Sequence, residues 1–521
     1  MNEPSVENTA HSGTVNPPTT VVGVLRRLGP GLIIAASIVG SGELIASTKT
    51  GAEAGFSLLW LILIGCLIKV FTQIEFGRFT ITEGLTTIDG LNQIPGPRFR
   101  VNWLVWYWLF MFVCSTSQLG GIVGVVGQSL AIPFPITGDY RRICEEQKQY
   151  DLDAVPIREK LSLENPQISG PDLAKQVASE LGPAPEKSGV YTWDDVYWSA
   201  LVTVITAVML VLGRYGLVQN VSTFLVASFT AVTIWNLFEL QTYPAWSISG
   251  EDILGGLSFR LPETVGSSAP VATALATFGI IGVGSAELIA YPYWCLEKGY
   301  ARFTGERDKS EGWAFRARGW LRVMQWDAWI SMIVYTLATA AFYLLGAAVL
   351  FRAHKIPSDS QLIPTLSEMY RPVFGEAAVW MFLFGAFAVL YSTFFVATAG
   401  NARIAADGVR VFRLTEHSEQ SRLWWTRLFC GLLPFLSLTV FVINKKPVTL
   451  VLISGLAQAV MLPMLGGAAL YFRRHRCDPR ICPGKVWDIM LWLSFFALIV
   501  TGVWGIVSNA QKIGGAFESL F

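Results

Sequence analysis

Apolar residues run along this chain in long blocks parted by short polar breaks. Eleven blocks reach the roughly 20 residues that a membrane-crossing helix requires. They fall at about 29–50, 56–80, 101–132, 192–213, 218–240, 270–295, 324–351, 376–400, 424–443, 447–472 and 486–508. The pattern predicts an all-α membrane protein of about 11 transmembrane helices. The first and sixth blocks stand apart, because glycines and a carboxylate interrupt each of them. A polar tail, 1–24, precedes the first block and carries no secretory signature. Residues 133–191 form a polar insertion rich in proline and acidic residues, with one short helix expected near Pro171–Leu181. The insertion reads either as an outer cap for a partner or as a tolerated surface loop, and the loop is preferred. Helices 1–10 make up a core over 25–475, and helix 11 with its tail, 476–521, stands outside it.

Composition narrows the class. Of the 521 residues, 52% are hydrophobic and 15% are charged, where soluble domains carry about 25% charged residues. That excludes an ordinary soluble enzyme and a disordered chain. A net charge of +1 does not suggest nucleic acid as a partner. The seven cysteines are scattered and form no C-x-x-C pair, so zinc and thioredoxin-type chemistry are not indicated. Lys and Arg gather in the connections on one side: Arg26 and Arg27, Arg78 to Arg100, Arg214, Lys298 to Arg322, Arg403 to Arg427, and Arg473 to Lys485. The positive-inside rule then puts the N-terminus in the cytoplasm and the C-terminus outside a cell membrane.

The most informative feature is an internal repeat. Val39-Gly40-Ser41-Gly42-Glu43-Leu44-Ile45-Ala46 in helix 1 returns as Val283-Gly284-Ser285-Ala286-Glu287-Leu288-Ile289-Ala290 in helix 6, with seven of eight positions alike. The two copies cross the membrane in opposite directions, and each heads a block of five helices (25–245 and 265–475). That is the inverted-repeat layout of secondary transporters, in which broken helices meet at the bilayer midplane. Glycines weaken the helix there, and freed carbonyls are tolerated at membrane depth only against protein or a cavity. Glu43 and Glu287 become membrane-embedded carboxylates, which by default mark function. Two that approach each other repel unless a proton or cation lies between them, and a hard divalent cation suits oxygen ligands. The alternative is that both glutamates only cap half-helices.

These residues resemble those of a known family. Gly29-Pro30-Gly31 before an apolar run, then Gly51-Ala52-Glu53-Ala54-Gly55-Phe56-Ser57-Leu58-Leu59-Trp60, is similar to the start of the Nramp divalent-metal transporters, with Leu462-Pro463 as a second anchor. The resemblance implies a LeuT-like 5+5 inverted repeat with broken helices 1 and 6, and a divalent metal ion as substrate. At the site the chain departs from the family. The family's helix-1 Asp falls on Gly40, its Pro on Ser41 and its Asn on Glu43. The family's helix-6 Met-Pro-His-Asn falls on Gly284, Ser285, Ala286 and Glu287. Carbonyl ligands map to Ser37 and Ile281. A helix-10 Gln maps to Gly455, with Gln458 one turn on, and the helix-3 acidic pair maps to Gln118 and Gly121. Loss of the thioether favours Mg2+ or Mn2+ over softer metals. Loss of the acidic pair, with His11, His354, His417 and His475 all outside the helices, favours transport without proton coupling, as in Nramp-related magnesium transporters.

Other signals carry less. Gly120-Gly121-x-x-Gly124-x-x-Gly127 lies within an apolar span and reads as close helix packing rather than a nucleotide loop. Gln73 and Glu75 either line an exit or sit near the interface. Lys69 is expected to snorkel. Asn401 and Asp407 read as an interfacial helix end rather than a gate. No H-E-x-x-H, G-x-S-x-G or Walker-type motif marks an enzyme. Two further readings stay open: a cation-coupled symporter for a small cationic or zwitterionic solute on the same fold, and a metal sensor. No cofactor is implied beyond the transported ion, and the lipid bilayer is the one partner expected besides it.

Overall fold

The computed structural model describes residues 13–165, 170–182, 185, 191–213, 215–262, 269–359, 361–416 and 418–518. Its helices follow the predicted spans. The first is broken into α1a (Pro30–Ile38) and α1b (Thr48–Ala54), joined through a π-helical turn, Ser41–Ser47. Then come α2 (Leu59–Glu83), α3 (Trp103–Ala131), α4 (Asp194–Val211) and α5 (Tyr215–Glu239). The sixth is broken again, into α6a (Ala269–Ile280) and α6b (Ser285–Lys298). The rest are α7 (Glu311–Leu345), α8 (Ala377–Val411), α9 (Glu419–Asn444), α10 (Pro447–His475) and α11 (Lys485–Glu518). Among the described residues, 10 helices are long and apolar enough to cross a membrane, and α5 stands where the remaining span is expected. The described strands are two residues each, Arg98–Phe99 and Val101–Asn102, and tighten the turn before α3.

Three helices clearly outrun their apolar blocks, α7, α8 and α11, the last continuing to Glu518. α7 starts at Glu311 and takes Arg316, Arg318 and Arg322 onto its first turns, and α8 continues to Val411. Hydropathy marks the part of a helix that meets hydrocarbon, whereas the backbone ladder continues into the polar zone. The insertion also holds more structure than expected. The helix Gly170–Leu181 lies where the short one is expected, but a longer one, Asp139–Glu164, precedes it. That sequence is too polar for a hydropathy signal and is supported by (i, i+4) pairs such as Arg141–Glu145, at 2.9 Å. Its root is pinned reciprocally. Asp194 accepts from the amides of Ile136 (2.8 Å), Thr137 (2.6 Å) and Gly138 (2.8 Å), and Asp139 accepts from that of Trp193 (2.6 Å).

Burial orders the bundle. The most apolar stretches of the first and sixth helices are each 89% buried, against 28% for α9 and 33% for α11. The broken helices therefore form the centre, and α9 and α11 turn large apolar side chains outward. Small residues let backbones close in at the centre: a Cβ on Gly279 would stand 1.8 Å from the Gly455 carbonyl oxygen. The α3 glycines do the same, since a Cβ on Gly121 would stand 2.6 Å from the Pro447 carbonyl oxygen.

Candidate functional site

Both breaks are made by glycines. The Val39 amide closes the ladder of α1a on the Ala35 carbonyl at 2.9 Å. The chain then extends at Gly40, whose amide turns to Glu43 Oε2 at 3.4 Å. No side chain fits there, because a Cβ on Gly40 would stand 1.9 Å from Thr393 Oγ1 on α8. In the sixth helix, Ile281 closes α6a on Thr277 at 2.9 Å. Gly282 then takes φ +57, the left-handed region where a Cβ is disfavoured. Its amide faces Glu43 Oε1 at 3.4 Å, and Thr339 Oγ1 on α7 donates to the same oxygen at 3.0 Å. Glu43 is fully buried. One carboxylate thus gathers donors from both breaks and from the helix beside them.

Glu287 behaves differently. It lies in the first turn of α6b, half-buried, and lines a cavity of about 30 Å³ together with Ile34, Ser37, Gln118, Thr393 and Asn401. The cavity runs along α8 from the level of the breaks toward the end of the bundle that holds the N-terminal segment. Around it, four residues singled out from the sequence are linked. Gln118 Nε2 donates to Ser41 Oγ at 3.0 Å, and Gln458 Nε2 donates to Gln118 Oε1 at 2.7 Å. Ser285 Oγ donates to the Gln458 carbonyl at 2.7 Å, and the Ala286 amide to Gln458 Oε1 at 3.2 Å. This chain ties both breaks to α3 and α10. Oxygens converge on Gly284, where a Cβ would stand 2.6 Å from Glu287 Oε2, 2.8 Å from Gln458 Oε1 and 3.0 Å from the Gly279 carbonyl. The carbonyls of Gly40 and Gly284 accept from Leu44 (2.8 Å) and Leu288 (2.9 Å), which leaves each a second lone pair.

Several expected placements differ. Glu43 does not line the cavity, so the two glutamates are not presented to it as a symmetric pair. Lys69 does not snorkel. It is fully buried, and its ammonium donates to the Phe278 carbonyl and, at 2.8 Å, to that of Ile281. The Ile281 carbonyl is therefore occupied by a cationic side chain in this conformation. The reason is that the end of α6a leaves carbonyls without helical partners and carries the negative end of its dipole. Gly455 gives backbone contact with α6a, and the amide needed there comes from Gln458. Glu75 is not at an exit. It is buried against Arg78 at 3.2 Å and accepts from Trp487 Nε1 of α11 at 2.6 Å. Asn401 and Asp407 do lie toward the end of α8, which stops at Val411, but each is engaged there by neighbouring helices. Asn401 lines the cavity. Asp407 is buried and accepts from Thr86 (2.6 Å), Tyr293 (2.5 Å) and Arg410 (2.7 Å), tying α6b to α8 below the cavity. Residues without a local sequence signal also serve the site. Thr339 reaches Glu43, and Asp327 of α7 caps α1a through the amides of Gly29, at 2.9 Å, and Gly31. Among the described residues, no three or more His, Cys, Asp or Glu side chains are grouped as a metal cluster. His354 lies in a turn, whereas His475 is the last residue of α10 rather than outside the helices, and His11, Arg214 and His417 fall outside the described residues.

Residues 31–137 and 189–508 match the family described as natural resistance-associated macrophage protein-like, Nramp. The chain belongs to the Nramp family. Nramp proteins are multi-pass membrane transporters and not enzymes, and the resemblance carried by Gly29-Pro30-Gly31 extends over nearly the whole chain. A divalent metal cation transporter, MntH, of Staphylococcus haemolyticus is 28% identical over 105 residues, 20% of this chain. That stretch spans only 22% of the relative's own length. Among solved structures, the Eremococcus coleocola manganese transporter in complex with an aromatic bis-isothiourea substituted compound superposes with a TM-score of 0.64 at 16% identity, covering 98% of this chain and 92% of that one. MhsT in complex with L-phenylalanine gives 0.52 at 13% identity, covering 95% and 99%. At these identities the likeness is one of fold, and it is the LeuT-like fold of two inverted five-helix repeats.

Proposed function

We propose that this Nramp protein carries a divalent cation, Mg2+ or Mn2+, across a cell membrane by alternating access and without proton coupling, with its N-terminus inside and its C-terminus outside. The reading rests above all on the cavity. Its 30 Å³ suits a single ion or water, whereas pockets for organic ligands begin at about 300 Å³. Its polar wall presents oxygens from Glu287, Gln118, Ser37 and Asn401, with no thioether, thiol or imidazole. Such a set prefers hard cations. Glu287 supplies the carboxylate, and Gln458 and the Gly40 and Gly284 carbonyls supply further oxygens. Glu43 holds the two breaks in register. Ser41 and the Ala286 amide orient the two glutamine side chains, Ser285 ties α6b to the Gln458 backbone, and α1a and α6b rock against the surrounding helices to alternate access.

The test is flux in proteoliposomes. Mg2+, Mn2+ and Ca2+ influx is followed together with internal pH for wild type, Glu287→Gln and Glu43→Gln. The expected result is Mg2+ and Mn2+ entry without acidification, at least tenfold lower in Glu287→Gln. A folded wild type that moves no divalent ion but is stabilised by amines would sink the proposal in favour of an organic solute. Ion binding without flux would make the protein a sensor.

A further inference from the structure

The bundle contains a cation of its own. Lys69 is the eleventh residue of the 25 in α2, about 15 Å along the helix from its start. At that depth an unpaired ammonium is expensive. Here it is fully buried and engaged by three groups: the Phe278 carbonyl, the Ile281 carbonyl at 2.8 Å, and the Phe278 ring with its centroid at 4.6 Å. Both carbonyls belong to the C-terminal end of α6a, the negative end of a half-helix dipole. Glu43 takes the next amide along, that of Gly282. Lys69 therefore sets a positive charge against the open carbonyl end of α6a.

A carrier must return empty after releasing its cargo. Two glutamates at the bilayer centre oppose that return unless something positive travels with them, and coupled carriers use a second ion. We propose that Lys69 is that positive charge: a tethered counter-cation that holds the α6 break of the metal-free protein and lets it reorient with no second cation bound. This deepens the reading above and rests on it. It makes Lys69 a positioning residue rather than a ligand of the transported ion.

Net uptake requires the empty carrier to return, whereas exchange of metal for metal does not. Both are measured on the same proteoliposomes, with Mn2+ outside alone and with Mn2+ on both sides. Wild type, Lys69→Met and Lys69→Arg are compared. The expected result is a ratio of net uptake to exchange at least tenfold lower in Lys69→Met, recovered by Lys69→Arg, which restores the charge. Persisting exchange shows that Lys69→Met is folded. If Lys69→Met does not yield monodisperse protein, Lys69→Gln takes its place. An unchanged ratio, or a charge-independent drop shared by Lys69→Arg, overturns the proposal while leaving divalent transport intact. A wild type with neither net uptake nor exchange overturns the transport reading itself.

Discussion

The convergence of oxygens on Gly284 makes Gly284→Ala the sharpest probe of the site. A Cβ there meets Glu287 Oε2 at 2.6 Å and Gln458 Oε1 at 2.8 Å. Carbon–oxygen contacts of this kind lie at about 3.3 Å or more, so the two oxygens must retreat by about 0.7 and about 0.5 Å. Both atoms end flexible side chains, and the third neighbour, the Gly279 backbone carbonyl at 3.0 Å, has to give by only about 0.3 Å, so the fold tolerates the change at a cost of about 1 kcal/mol. A metal site is less forgiving, because ligand distances hold to about 0.2 Å. Misplacing even one ligand by more than that removes at least about 1.4 kcal/mol, tenfold in affinity. The assay is the KM for Mn2+ uptake, with thermal stability of the purified protein as the control. The expected result is a KM raised tenfold or more and a nearly unchanged Tm. An unchanged KM would refute the placement of Glu287 and Gln458 at the ion. A collapse in Tm would refute the claim that the Gly279 carbonyl and the two side-chain ends can all give way.

Three further outcomes follow from the geometry. Glu43→Gln sets an amide NH2 among the donors of Gly40, Gly282 and Thr339 and should cost about 1–3 kcal/mol of stability; an unshifted Tm would show that Glu43 does not hold the breaks together. Asp407→Asn weakens the tie between Tyr293 and α8, and should speed thiol labelling of an Asn401→Cys reporter from the N-terminal side, in a background without exposed cysteines. Equal labelling rates would remove Asp407 from any gate. In the loop between α10 and α11, the hydrogen-bonded Arg480 guanidinium holds the Asp478 carboxyl down at about 2, against an ordinary value near 4. Because the folded value is depressed, the stabilisation is fully present above pH 4 and lost as pH falls toward 2. Protease cleavage of that loop should therefore stay constant from pH 8 to 5. Any rise within that range would mean that another group controls it.

The corrections share one cause. Lys69, Glu75 and Asp407 were read along their own helices, where a charge near a membrane boundary has many explanations. Their partners lie more than a hundred residues away: Ile281 for Lys69, Trp487 for Glu75, and Thr86 and Tyr293 for Asp407. No spacing along the chain reveals such pairs. The helix Asp139–Glu164 was invisible for another reason: hydropathy detects apolar faces, and this helix is held by charge pairs and by its pinned root. By contrast, Ser41 and Ser285 were legible from the repeat itself, whereas Gln118 and Gln458 were reached only through the family resemblance, which maps a helix-3 acidic position onto the first and a helix-10 Gln one turn from the second.

The sequence by itself determined the class, the spans, the inverted repeat and the positions of both breaks. Those follow from local facts: apolar block length, glycines that unwind a helix, and a motif written twice. Tertiary structure decided how the two equivalent glutamates divide their roles. Glu43 is drawn onto the amides of both breaks and the Thr339 hydroxyl, while Glu287 is left facing the cavity. It also decided that a lysine from α2 reaches the open carbonyls at the end of α6a. Near-identical octapeptides diverge here because a buried carboxylate goes to whichever donors the surrounding helices present. The two halves of the bundle present different ones.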